Sequence, residues 1–121
     1  MDEKKTQLLI IGGGPGGYTA AFEAAAKGIN VVLVDPKETP GGVCLYQGCI
    51  PSKALLHSAK ILTDAHEAKD IGINFNEPET NIEQLRNWKN SVITKLGKGL
   101  MMLFNQCGNP ETGRFTTQHR F

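Results

Sequence analysis

Cys44 and Cys49 lie five residues apart in the stretch Gly41-Gly42-Val43-Cys44-Leu45-Tyr46-Gln47-Gly48-Cys49-Ile50-Pro51-Ser52-Lys53. Two cysteines this close can work as a redox pair, hold a metal or lie inert. A disulfide needs Cα atoms about 4.4–6.8 Å apart. Positions i and i+5 of a regular helix are farther apart and face different ways, so the segment must be irregular. Gly48, directly before Cys49, supplies backbone freedom there. As a mere staple a bridge here removes only about 2 kcal/mol of unfolded-chain entropy. Structural zinc fails on count: it wants four ligands, usually cysteines paired across a gap of about two to four residues with a second pair nearby, and His57, His66, Cys107 and His119 are scattered and supply no such pair. Redox use explains the pair best. Cys107, the third cysteine, reads as a small buried hydrophobe, and His57 and His66 as solvent-facing helix residues.

Elements must position these thiols. Gln7 to Ile11 is a short apolar run that ends in glycine and predicts a buried parallel strand. After the glycine loop, Tyr18 to Lys27 is rich in helix formers, with Gly28 where a left-handed C-cap sits. Ile29 to Val34 predicts a second strand, stopped by Asp35-Pro36. Strand, glycine turn, helix and strand make a βαβ unit, expected to cross over right-handed. Pro36 to Gly42 reads as a loop. A helix is expected from Ser52 or Lys53 to about Lys69, with Leu55, Ala59, Leu62 and Ala65 on one side. Ile71 to Glu79 is a polar connection with room for an extended piece at Ile73-Asn74-Phe75. A third helix should start at an Asn81 cap with Gln84 completing a capping box. Its apolar face is Leu85, Trp88, Val92, Leu96, Leu100 and Leu103, and Gly97 and Gly99 leave its end open.

The glycine loop has its own chemistry. Gly12-x-Gly14-x-x-Gly17 opens a helix directly after a strand. In this spacing Gly12 permits the tight turn, Gly14 lets a pyrophosphate approach the backbone, and Gly17 lets helix and strand pack closely. The helix N-terminus then offers free N–H groups and a positive dipole end to the phosphates. Asp35, at the end of the second strand, sits where an acid accepts ribose hydroxyls of an adenine dinucleotide. The loop alone fits FAD and NAD equally.

Composition excludes several other classes. At 121 residues the chain holds one small domain with one core. A formal net charge of +1, with no basic run longer than Lys4-Lys5, gives no field for nucleic acid or a membrane surface. The apolar run Leu8–Ile11 is too short for a signal peptide or a membrane span. A cytoplasmic location is therefore expected, where paired cysteines more often do chemistry than stapling.

Taken together, GGGPGG, a strand ending in an acid, and GGVCLYQGCIPSKALL resemble the N-terminal part of the flavin-dependent pyridine nucleotide-disulfide oxidoreductases. The resemblance runs from about Thr6 to Leu103 and its cysteine motif is highly specific. CIPSKALL is most similar to the branch that oxidises dihydrolipoamide; glutathione reductases typically carry lysine in place of Ser52, and mercuric reductases share much of the pattern. The fold implied is α/β, a Rossmann-like FAD-binding βαβ unit with a parallel sheet and following helices. Residues 1–121 would be the N-terminal part of an FAD-binding domain that is itself incomplete, without the NAD-binding and C-terminal dimerisation domains.

The resemblance also implies roles. Gly12, Gly14 and Gly17 hold the FAD pyrophosphate and Asp35 its adenosine ribose. Gly42 and Cys44 line the loop passing the flavin, with Cys44 the interchange thiol and Cys49 the thiol stacked on the flavin. Lys53 lies near the reactive edge of the ring. No metal is implied. Electrons would pass from dihydrolipoamide through Cys44 and Cys49 to FAD and then to NAD. Both thiols must reach the thiolate form, and the helix starting near Pro51-Ser52 places a positive dipole end beside them. Implied partners are the lipoyl domain of a 2-oxoacid dehydrogenase complex and a second copy of the chain. Two other readings stay open: a catalytically inactive FAD-binding module, and an NAD-binding Rossmann domain with incidental cysteines. A flavin spectrum on purification excludes the second.

Three features depart from the family pattern. Asp35 stands where glutamate is usual, so the acid must sit closer to the ribose. Tyr46-Gln47 replaces a more usual asparagine-containing pair. Asn105 to Thr112 has almost no apolar content where a buried strand is expected. Gly113-Arg114-Phe115 fits the turn that follows that strand, with Gly113 a candidate dinucleotide contact. We read the tail as a frame disruption or deletion around Cys107; sequencing the coding region tests this, and an undisturbed frame refutes it.

Overall fold

The computed structural model describes residues 5–107 and 115–118, and for 115–118 the backbone only. Strand β1, Leu8–Ile11, runs parallel to β2, Val31–Val34, with Leu8 opposite Val31 and Ile11 opposite Val34. Helix α1, Pro15–Ala26, connects them. It starts inside the glycine loop, earlier than composition suggests. Gly14 is its N-cap and Pro15 occupies the first turn, where the missing N–H costs nothing. Beyond its C-cap Lys27, Gly28 takes φ 77°, the left-handed conformation that suits glycine.

A third strand, β3, Phe115–Gln118, pairs parallel to the other edge of β2, giving the order β1-β2-β3. This corrects the reading of Phe115 as a turn residue: it opens a strand, with Val31 as its partner. Gly113 lies outside the described residues.

Three helices follow β2. Helix α2 is Gly42–Tyr46, α3 is Cys49–Glu67 and α4 is Ile82–Cys107. A 3₁₀ turn, Ala68–Ile71, ends at Gly72, also left-handed at φ 87°. Residues 73–81 carry no regular element, so the extended piece expected at Ile73-Asn74-Phe75 does not form; Ile73 and Phe75 are exposed and pair with no strand among the described residues. Asn81 caps α4 as its sequence implies, its Oδ1 accepting the Gln84 N–H at 2.9 Å. Gly97 and Gly99 do not end α4. Buried Gly97 sits where α4 crosses α2, and a Cβ there would make ordinary contact with Thr39 and Leu45.

The core lies between the sheet and the α1–α4 pair. Ala21 and Ala24 of α1, Val31 and Leu33 of β2, and Phe104 of α4 form its buried cluster. The Phe104 ring is 3% exposed and meets Phe22 at a centroid distance of 4.8 Å. Packing thus differs from the apolar face expected for α4. Leu96 and Leu103 stay largely exposed, while Leu100, Met101 and Phe104 turn toward α1 and the sheet. The reason is that α4 meets three helices in turn, α3 at Trp88, α2 at Gly97 and α1 at Phe104, so no single stripe is buried throughout. On β1, Leu8 and Ile10 face this core, whereas Leu9 and Ile11 are exposed on the opposite face.

Candidate active site

The glycine loop is built by close approach. A Cβ on Gly17 would collide with the Gly12 carbonyl oxygen, so only glycine lets α1 begin against the end of β1. Gly12 donates its N–H to the Val34 carbonyl at 2.8 Å, fixing the loop to β2. The start of α1 has no side-chain cap, and a Cβ on Gly12 or Gly16 would meet nothing within 4 Å. Uncapped N–H groups with open space before them fit a pyrophosphate.

A second contact joins this loop to the thiols. Gly42, the first residue of α2, takes φ 64°, and a Cβ on it would stand 2.7 Å from the Gly14 Cα. Glycine facing glycine therefore seats α2, which carries Cys44, against the phosphate loop. Asp35 lies behind them, 7% exposed, with Oδ2 accepting the Gly13 N–H at 2.6 Å and Oδ1 the Lys37 N–H at 2.8 Å.

The cysteine segment is irregular, as its spacing requires, but by a different device. Chain direction breaks between α2 and α3 at Gln47-Gly48, and α3 begins at Cys49 itself, three residues before the earliest expected start. Two bonds hold this early start: the Gly48 carbonyl accepts the Ser52 N–H at 3.1 Å and the Ser52 hydroxyl at 2.7 Å. Pro51 then falls within the first turn, where no N–H is needed. Gly48 keeps a negative φ of −125°; what it supplies is room. A Cβ on it would stand 3.0 Å from the Val43 carbonyl oxygen and 3.2 Å from the Cys44 Cα.

Cys44 is half-buried, Cys49 is exposed, and both are free thiols. Hydrogen bonding to the Cys49 sulfur pushes the Cys44 thiol above its ordinary value, and partial burial adds to the rise. The Lys53 ammonium works against it, so Lys53 lies close enough to favour a Cys44 thiolate. Cys44 therefore keeps its proton to higher pH than the sequence suggests, because its partner thiol outweighs the nearby cation.

Cys44 also borders a cavity of about 460 Å³ that Cys49 does not line. Its wall is mostly apolar, with Tyr18, Ile50, Leu96, Leu100 and Leu103 among its residues. The structure thus gathers Gly12, Gly14, Gly17, Asp35, Gly42, Cys44, Cys49 and Lys53 along one path from β1 to α3. Sequence reasoning missed Gly13 and Gly41, whose backbones tie the loops together through a Gly41 N–H to Gly13 carbonyl bond of 2.7 Å. Tyr46 has a use as well: its hydroxyl donates to the Thr39 carbonyl at 2.7 Å and Lys37 Nζ sits 4.2 Å from its ring centroid, tying the preceding loop to α2. Among the described residues, no group of three or more His, Cys, Asp or Glu side chains gathers as a metal site. No described helix is long and apolar enough to cross a membrane.

An α/β dinucleotide loop abutting two adjacent thiols is the architecture of a disulfide oxidoreductase. The chain belongs to the pyridine nucleotide-disulphide oxidoreductase family, whose pattern matches residues 6–119. It is 50% identical over 98 residues to a dihydrolipoyl dehydrogenase of Buchnera aphidicola, covering 81% of this chain and 21% of that protein. The dihydrolipoyl dehydrogenase of Vibrio parahaemolyticus is 49% identical over 98 residues, with the same two coverages. A Haloferax volcanii dihydrolipoyl dehydrogenase is 47% identical over 103 residues, 85% of this chain and 21% of its own length. The chain thus spans about a fifth of the length of these relatives.

Proposed function

We propose that this chain carries the cofactor loop and redox dithiol of a flavin-dependent dihydrolipoyl dehydrogenase. The observation that carries the reading is the seating of the Cys44 helix on the phosphate loop through Gly42 and Gly14. Gly12, Gly14 and Gly17 would hold the FAD pyrophosphate, Asp35 stands at the ribose end, and Gly42 and Lys53 flank the thiols. FAD, when bound, supplies a two-electron acceptor beside the dithiol.

The residues themselves perform thiol–disulfide exchange. With Cys44 and Cys49 joined as a disulfide, one substrate thiolate attacks the Cys44 sulfur and Cys49 leaves as a thiolate. The second substrate thiolate then attacks the substrate sulfur of that mixed disulfide. Cys44 is released as a thiolate, the substrate closes its own disulfide, and the protein keeps two electrons as a dithiol. Cys44 is the exchanging thiol because it borders the apolar cavity, which suits the aliphatic arm of a dihydrolipoyl group.

A full-length relative would pass electrons on to NAD and work as a homodimer with lipoyl domains of 2-oxoacid dehydrogenase complexes, as the family resemblance implies. The 121-residue chain by itself is expected to show no NADH–lipoamide turnover. The exchange step is tested with the Cys49→Ser variant, lipoamide and an alkylating agent that traps the freed lipoyl thiol. A lipoamide adduct at Cys44, with none at Cys49 in the Cys44→Ser variant, supports the assignment. An adduct formed only at Cys49, or at neither residue, refutes it.

A further inference from the structure

Asp35 is engaged more heavily than a ribose contact requires. Each of its carboxylate oxygens already accepts a backbone N–H, from Gly13 at 2.6 Å and from Lys37 at 2.8 Å. Gly13, at the middle of the phosphate loop, is held on its other side too, its carbonyl accepting the Gly41 N–H at 2.7 Å. Space is closed around it: a Cβ on Gly13 would stand 2.6 Å from Pro40 Cβ and 2.9 Å from Asp35 Oδ2. A buried carboxylate with a short charge-assisted bond to one loop amide is a clamp.

We propose that Asp35 is a positioning residue. Its carboxylate fixes Gly13, which sets the direction of the N–H groups at the start of α1. Its main effect on dinucleotide binding is then exerted at the phosphates, not at the ribose hydroxyls. The inference rests on the proposed dinucleotide site. It also gives a reason for a short acid here, since the extra methylene of glutamate would press on the Gly13 backbone. Asparagine is isosteric, but its amide nitrogen would face one of the two N–H donors and leave it unpaired.

Two measurements on the whole chain decide it. In the free protein, the Gly13 amide is expected far downfield and slow to exchange, with a through-hydrogen-bond coupling to the Asp35 carboxylate carbon. In Asp35→Asn its exchange should quicken by about tenfold or more, while α4 amides stay put. A Gly13 amide that exchanges like a solvent-exposed one in the unaltered protein overturns the clamp, and that observation needs no variant. Binding is then measured for FAD and for an analogue lacking the adenosine-ribose 2′ and 3′ hydroxyls.

A clamp predicts that Asp35→Asn weakens both ligands by the same factor, about tenfold or more, and that Asp35→Glu does not restore binding. A penalty that vanishes with the deoxy analogue, or full rescue by glutamate, overturns it. Failure of either ligand to bind sinks the cofactor reading instead, and the Gly13 amide alone then decides whether Asp35 clamps the loop.

Discussion

Gly48→Ala tests how the two thiols are brought together. A Cβ added at Gly48 meets the Val43 carbonyl oxygen at 3.0 Å and the Cys44 Cα at 3.2 Å. Both are backbone atoms of α2, so neither can swing aside as a side-chain tip would. The start of α3 must instead move off α2 by a few tenths of an ångström. Overpacking of this kind costs about 1–3 kcal/mol. Because the strain falls between Cys44 and Cys49, it acts on the closed disulfide more than on the open dithiol. A difference of about 1.4 kcal/mol is tenfold in the equilibrium, or about 30 mV for a two-electron couple. Equilibration of the unaltered chain and the variant in glutathione buffers, read by mass after alkylation, should place the variant about 30 mV more positive. Equal potentials in a variant with unchanged secondary structure would refute the argument that Gly48 serves as a close-approach residue.

Other consequences follow from the same geometry. Cys49→Ala removes the sulfur that holds Cys44 above its ordinary value, so Cys44 should form thiolate at lower pH. Its alkylation near pH 7.5 is then faster than in the unaltered dithiol, and a slower rate by mass spectrometry contradicts the assignment. Phe104→Ala empties the contact between α4, α1 and β2 and should cost about 3–5 kcal/mol in urea denaturation. A loss under about 1 kcal/mol would mean that this ring does not anchor the helix.

Local signals were legible where one residue type meets one backbone need. The glycine loop, both strands, the Asn81 cap and the break between the cysteines are of this kind. Tertiary choices were harder to read. The start of α3 depends on Ser52 reaching back to the Gly48 carbonyl, a bond invisible in propensity. The burial of Phe104 in place of Leu103 depends on α4 passing from one neighbour to another, which shifts the buried stripe partway along. Gly13 looked like a filler position in the loop, and only the approach of Pro40 and Asp35 shows that it cannot carry a side chain. The rise in the Cys44 thiol arises the same way, from a sulfur that the fold places next to it.

The most direct test of one combined site is electron transfer from dithiol to flavin. The chain is mixed with FAD in the absence of oxygen, dihydrolipoamide is added, and flavin absorbance is followed. The account predicts bleaching with the unaltered chain and none with Cys44→Ser. Bleaching that is absent in both, or equal in both, would contradict a phosphate loop and dithiol working on one cofactor.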